Sequence, residues 1–152
     1  MKRILIISDT HGLLREEILD QLDRADAVIH AGDIGGQAIV DTLGAGRPCR
    51  IVRGNNDKEW AQGMPLSLTF TIEGVRFFLV HDKKDVPAGL TDVDVVVCGH
   101  SHRYGREEKD GVLWLNPGSC GRRRFGRELT YCLMEADRGG CRVEKRTIEQ
   151  GR

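Results

Sequence analysis

Seven residues carry the donor groups that give this 152-residue chain a chemistry: Asp9, His11, Asp33, Asn55, His81, His100 and His102. Each follows a short apolar run. Asp9 and His11 come after Ile4-Leu5-Ile6-Ile7, Asp33 after Val28–Ala31, Asn55 after Ile51-Val52, His81 after Phe77–Val80, and His100 and His102 after Val95–Cys98. Carboxylate, amide and imidazole donors together suit zinc, manganese, iron, cobalt or nickel better than calcium or magnesium. Seven donors are too many for one structural zinc and suit two ions sharing a carboxylate. Two such ions, roughly 3.5–4 Å apart, form a clamp for displacement at phosphorus: they lower the pKa of a bound water and neutralise charge on phosphoryl oxygens.

Taken singly, the pieces are ordinary. Asp-x-His at a strand end can be a cap and a surface histidine, and Gly-Asp is common turn chemistry. His-x-His is more specific, because alternate side chains of an extended segment share one side. Their joint fall at strand ends is the signal.

The elements that must position these groups follow from periodicity. Leu13, Leu14, Ile18, Leu19 and Leu22 recur at helical spacing between charged residues. A strand over 26–31, a helix over 37–43 and a strand over 50–53 complete a strand–helix–strand–helix–strand order, which favours a parallel sheet. Functional groups in such sheets gather at the strands' carboxyl ends. Ser67–Ile72 and Val75–Val80 flank Glu73-Gly74, a hairpin signal. Further strands are expected at 94–98, 104–108, 112–115, 129–136 and 141–148. The expected architecture is one α/β domain over 1–152, with two sheets and helices outside.

Composition narrows the classes. Lys plus Arg equals Asp plus Glu at 23 each, so no overall field draws in nucleic acid or an anionic membrane, although a local basic patch stays open. The apolar run after Met1-Lys2-Arg3 is too short for a signal-peptide core, and no segment approaches a membrane span; a cytoplasmic protein is the expectation. Five widely spaced cysteines without a C-x-x-C pair argue against a disulfide framework or a zinc knuckle, and Cys98 reads as a small buried residue.

With Asn116-Pro117-Gly118-Ser119 added, the motifs Ser8-Asp9-Thr10-His11-Gly12, Gly32-Asp33, Gly54-Asn55-x-Asp57 and Gly99-His100-Ser101-His102 resemble those of the calcineurin-like metallophosphoesterases. More narrowly, the chain resembles the small single-domain prokaryotic phosphodiesterases of that superfamily, over about residues 1–136. The resemblance implies a four-layer two-sheet β-sandwich flanked by helices. It implies that Asp9, His11 and His102 hold one ion, and that Asp33 bridges to a second held by Asn55, His81 and His100. The cofactor is then two divalent transition-metal ions, manganese first, with nickel, zinc, iron or cobalt as the others. Asp57 would orient its neighbours, and His30 would support the site or fill the core.

Two positions depart from the family pattern. Many members carry His where this chain has Asn56, and that His is usually taken as the acid for the leaving oxygen or as a substrate holder. Asn56 cannot donate a proton in that sense, but its NH2 can bond a phosphoryl oxygen. Relatives often read His-Gly-His where this chain has His81-Asp82-Lys83; Asp82 is expected to point to solvent, with support of the site as the other reading. Asn56 and Asp57 are thus the candidate catalytic positions, and Asn56, Arg103 and Arg122 the candidate substrate contacts. The run Arg122–Arg127 is read as a solvated loop or an oligomer contact, a phosphate-binding rim being the alternative.

The implied reaction is hydrolysis of a small phosphodiester, a nucleotide being one candidate, by in-line attack of a metal-bridging hydroxide. The other readings are a phosphomonoesterase or nuclease, or a binding scaffold on the same fold, as in the eukaryotic retromer subunit. Nucleic acid and a second copy of the chain stay open as partners; a membrane does not.

Overall fold

The computed structural model describes residues 1–122 and 126–149. Ten strands form two five-stranded mixed sheets. The first has the order β10-β9-β1-β2-β3 and contains β1 (Lys2–Ile7), β2 (Ala27–His30), β3 (Cys49–Ile51), β9 (Leu129–Asp137) and β10 (Gly140–Ile148). The second has the order β4-β5-β6-β8-β7 and contains β4 (Ser67–Ile72), β5 (Val75–Val80), β6 (Val95–Val97), β7 (Tyr104–Lys109) and β8 (Val112–Pro117). Helices α1 (Glu16–Leu22) and α2 (Gln37–Gly44) complete the regular elements, with two short 3₁₀ turns.

Side-chain alternation along the strands sets the layers. Ile4, Ile6 and Ile29 face Phe77, Leu79, Val95 and Val97 across the sandwich. Leu5, Ile7 and Val28 point the other way, onto Ile18 and Leu22 of α1 and Ile39 and Leu43 of α2. β1 and β2 are therefore buried on both faces, which is why they read as unbroken apolar runs. Helix α1 starts three residues later than the apolar spacing predicts. Its buried residues are Ile18 and Leu22, with Leu14 partly buried just before it, and Leu19 lies on its exposed side.

Both α-helices cover the first sheet. On the outer face of the second sheet, Phe78, Val80, Val96 and Cys98 are covered by Val86, Leu90 and Val93. The fourth layer is thus an irregular segment with a 3₁₀ turn at Lys83–Asp85.

Three hairpins close on two-residue loops, Glu73-Gly74, Asp110-Gly111 and Arg138-Gly139, each with positive φ at both residues. Their twist matches that of the paired strands. Phe70 and Phe77 stack across the first hairpin at 5.1 Å and hold its register.

β1, β2 and β3 run parallel, as do β5 and β6. The chain leaves these five strands just before the seven donor residues. Parallel pairing places the loops within each sheet side by side, and sandwich packing brings the two sets together.

Candidate metal centre

The loops are tied to one another before any side chain is considered. Asp9 and His11 donate backbone N–H bonds to Gly32 and Asp33 carbonyls, both at 3.0 Å, and Gly99 donates to the His81 carbonyl at 2.9 Å. Two motif glycines permit close approach: a Cβ on Gly54 would stand 2.2 Å from Asp33 Oδ1, and one on Gly99 would stand 2.0 Å from Ser8 Oγ and 2.8 Å from Asp9 Oδ2. Asp9, His11, Asp33, His100 and His102 all have positive φ, and they make up five of the nine non-glycine residues so placed among the described residues. That conformation costs about 1 kcal/mol or more per residue, and it clusters where function overrides backbone preference.

All seven donors converge. Asp9 Oδ1 lies 3.4 Å from His102 Nε2 and 3.8 Å from His11 Nε2, and the two imidazole nitrogens are 3.4 Å apart. On the other side, His81 Nε2 lies 2.9 Å from Asn55 Oδ1 and 3.3 Å from His100 Nδ1. Asp33 Oδ2 stands between the halves, 3.7 Å from His11 Nε2 and 3.4 Å from His81 Nε2. Asp9 is common to two groups of donors that could each hold an ion, Asp9-His11-His102 and Asp9-Asp33-His81.

The electrostatics ask for a cation. Asp9 Oδ1 is fully buried and has no hydrogen-bond partner among the described residues, whereas Asp9 Oδ2 accepts from Ser8 Oγ at 2.7 Å and from the His100 N–H at 3.1 Å. His81 Nδ1 lies 2.7 Å from the Ala31 carbonyl and must donate to it, so His81 Nε2 presents a lone pair to Asn55 and Asp33 oxygens. Burial disfavours the His81 cation, yet the Asp33 bond and the Asp9 and Asp33 charges raise its pKa. Burial likewise opposes the Asp33 anion, but His81 and the two Asn56 bonds hold its pKa well below the usual range. The buried carboxylates and inward-facing lone pairs together call for a positive charge, which a divalent cation would supply. The residues fit a divalent metal.

The surrounding contacts assign work to motif residues. Asp57 is buried and accepts from the Ile34, Gly35 and Gly54 N–H groups at 2.9–3.2 Å. Both its oxygens are filled by backbone, which corrects its candidate catalytic label: it braces the Asp33 and Asn55 loops. Asn56 spans Asp33, with its N–H on Oδ1 at 2.8 Å and its Nδ2 on Oδ2 at 2.9 Å; the amide orients a donor first and keeps one N–H for other use. Asp82 also needs correction. Its Oδ1 accepts from the Lys84 N–H at 3.1 Å, and its Oδ2 lies 3.7 Å from His100 Nε2, while His100 Nδ1 faces the site. It is partly buried beside His100, with its Oδ2 also 3.8 Å from Lys84 Nζ, and neither contact is within hydrogen-bond range.

Of the candidate substrate contacts, Arg122 donates through Nε to the His11 carbonyl at 3.3 Å. Arg103 lines a groove beside His100. Arg127 donates to the Ser101 carbonyl, so the described arginines at both ends of that run are tied to donor loops. Arg123, Arg124 and Phe125 lie outside the described residues.

Three residues outside the donor set act as supports. Ser119 Oγ holds the Asp9 carbonyl at 3.0 Å, and Asn116 Nδ2 holds the Gly99 carbonyl at 3.0 Å, so the Asn-Pro-Gly-Ser turn braces two donor loops. His30 is fully buried between Gly32 N–H and Thr10 Oγ1. Thr10 donates to the Ile34 carbonyl, so His30 Nε2 carries the proton toward Thr10 and Nδ1 accepts from Gly32. Burial lowers its pKa to about 4 and keeps it neutral.

The family model of the calcineurin-like phosphoesterase superfamily domain matches residues 1–139. This chain belongs to that superfamily. A probable metallophosphoesterase of Mycoplasma pneumoniae is 34% identical over 155 residues, covering 91% of this chain and 92% of the relative. The phosphodiesterase YfcE of Escherichia coli is 27% identical over 165 residues, covering 90% and 89%. Its solved structure superposes with a TM-score of 0.70 over 88% of each chain. Vps29 of Chaetomium thermophilum superposes with a TM-score of 0.77 at 22% identity over 97% of each chain, which speaks for the fold alone. The superfamily's two-sheet architecture is the one described above. No helix among the described residues is long and apolar enough to cross a membrane.

Proposed function

We propose that this phosphoesterase-superfamily chain is a phosphodiesterase working with two divalent transition-metal ions, manganese foremost. The buried, unpartnered Asp9 Oδ1 facing two imidazoles carries the reading. Asp9, His11 and His102 would hold one ion and Asn55, His81 and His100 the other, with Asp33 between them. Bound there, the ions supply an activated water and neutralise charge on phosphoryl oxygens. YfcE, named a phosphodiesterase, supports the reaction class.

The protein groups then divide the remaining work. Asp57 and Asn56 keep Asp33 aimed inward. Asn56 offers its remaining N–H to a phosphoryl oxygen, and the Arg122 guanidinium stands on the rim at the His11 loop. An amide in place of the family's histidine supplies no proton to the leaving oxygen. General acid catalysis contributes typically about 10²–10⁴-fold, so leaving groups that depart without a proton are favoured.

The test is metal analysis of the purified chain, coupled to turnover of bis(4-nitrophenyl) phosphate and 4-nitrophenyl phosphate with manganese present. Two ions per chain and a clear preference for the diester are expected. Preference for the monoester, or full diester turnover after chelation, overturns the reading.

A further inference from the structure

Gly105 in β7 faces open space. Its φ lies outside the left-handed region, and a Cβ built on it would meet nothing within 4 Å. Glycine inside a strand weakens it, and it often marks a place where a ligand approaches. In the register of β7 and β8, Gly105 faces Asn116 and Glu107 faces Trp114, so Gly105 is the diagonal neighbour of Trp114. The missing side chain opens a groove of about 410 Å³ beside the indole, within the about 300–1,000 Å³ typical of small-molecule sites. Asp82, His100 and Arg103 also line it, so it opens directly off the candidate metal centre.

A phosphodiester carries two organic groups on one phosphorus, and each must rest on surface next to the centre. The groove past Asn55 is lined by Arg53, Lys58 and Lys84 and contains no Phe, Tyr or Trp. In the Gly105 groove the glycine leaves open space beside the Trp114 indole, the Lys83 ammonium lies 5.8 Å from the centre of that ring, and Arg103, Arg106 and Glu107 also line the walls. Those features fit a flat ring: indole for stacking, glycine for close approach, and arginine for the ring face or the phosphate beside it.

We infer that the Gly105–Trp114 groove binds an aromatic ester group, aryl or nucleobase, of the phosphodiester, which makes Gly105 and Trp114 specificity residues. This rests on the phosphodiesterase reading and names its substrate class.

Binding separates the two ideas. Calorimetry on the manganese-loaded chain would compare diphenyl phosphate with diethyl phosphate, anions of the same charge that differ in their organic groups. The wild type is expected to bind diphenyl phosphate about tenfold more tightly, the scale of an aromatic contact. Gly105→Val should abolish most of that preference while leaving diethyl phosphate affinity, metal content and thermal midpoint unchanged or the midpoint raised, since valine suits an open strand position. Trp114→Ala should abolish the same preference independently of how Gly105→Val folds. Equal wild-type affinities, or a preference untouched by both substitutions, overturn the inference. Turnover of phosphodiesters without the aromatic preference sinks only the groove. The preference without any turnover sinks only the catalytic reading.

Discussion

His100 shows how one residue depends on its second nitrogen. Its Nδ1 faces Asn55 and His81, and its Nε2 faces Asp82, whose other oxygen is tied down by the Lys84 N–H. A carboxylate hydrogen-bonded behind a metal-holding imidazole typically contributes about 10–100-fold to metal affinity, and Asp82 Oδ2 stands 3.7 Å from His100 Nε2, a short shift from such a contact. Asp82→Asn is therefore expected to weaken manganese binding at one of two sites by about tenfold, read by calorimetry, with the other site unchanged. Equal affinity at both sites in the variant would show that Asp82 does no such work. Asn56 illustrates the complementary point. As a side chain it is a departure from the family, and as a bond it is a clamp on Asp33.

The loops after β2 and β3 are held as one element by Asp57. Three backbone N–H groups converge on its carboxylate beneath the site. Asp57→Ala strands them, and each buried donor left without a partner costs about 1–3 kcal/mol. A loss of about 3–5 kcal/mol in urea unfolding is expected, together with weaker metal binding through Asn55. Normal stability with two tightly bound ions would contradict this account. The same brace is half visible in the residue order: Gly-Asn-x-Asp places the carboxylate one turn past Gly54, but nothing local says that Ile34 and Gly35 will be its partners. Helix α1 follows the same logic. Its apolar spacing was legible, and its start was displaced because residues 10–13 turn to carry His11 beside Asp33.

At the scale of the whole molecule, buried polar groups and left-handed residues at the centre are a cost that a bound metal would offset. Saturating manganese, at about 100 times its Kd, adds about 2.7 kcal/mol to the folded state. The thermal midpoint should rise by about 5–10 °C, with reversal by a chelator; no shift would mean that the donors do not bind. Acid acts in the opposite sense through His30. Folded His30 titrates near 4, and an unfolded imidazole titrates near 6.5. Between those values the unfolded chain holds more protons, so stability falls as pH drops through the window. The chelated wild type should lose about 2–3 kcal/mol more than His30→Gln between pH 7 and 4.5 in urea unfolding. Equal losses would place the acid sensitivity elsewhere.

The residue types and their order along the chain determined the strands, the two sheets, the superfamily and the seven donors, because strand period, turn chemistry and metal-donor identity are local properties. Tertiary structure alone decided what Asp82, Asn56, Asp57, His30 and the Asn116–Ser119 turn do, since each acts on a partner brought near by sheet packing. It also decided that an irregular segment covers the outer face of the second sheet, and that a groove lies beside Gly105 and Trp114. The seven donors stand out as a set in the residue order; the strands' parallel pairing and the packing of one sheet on the other bring them together, around a buried Asp9 oxygen with no hydrogen-bond partner among the described residues.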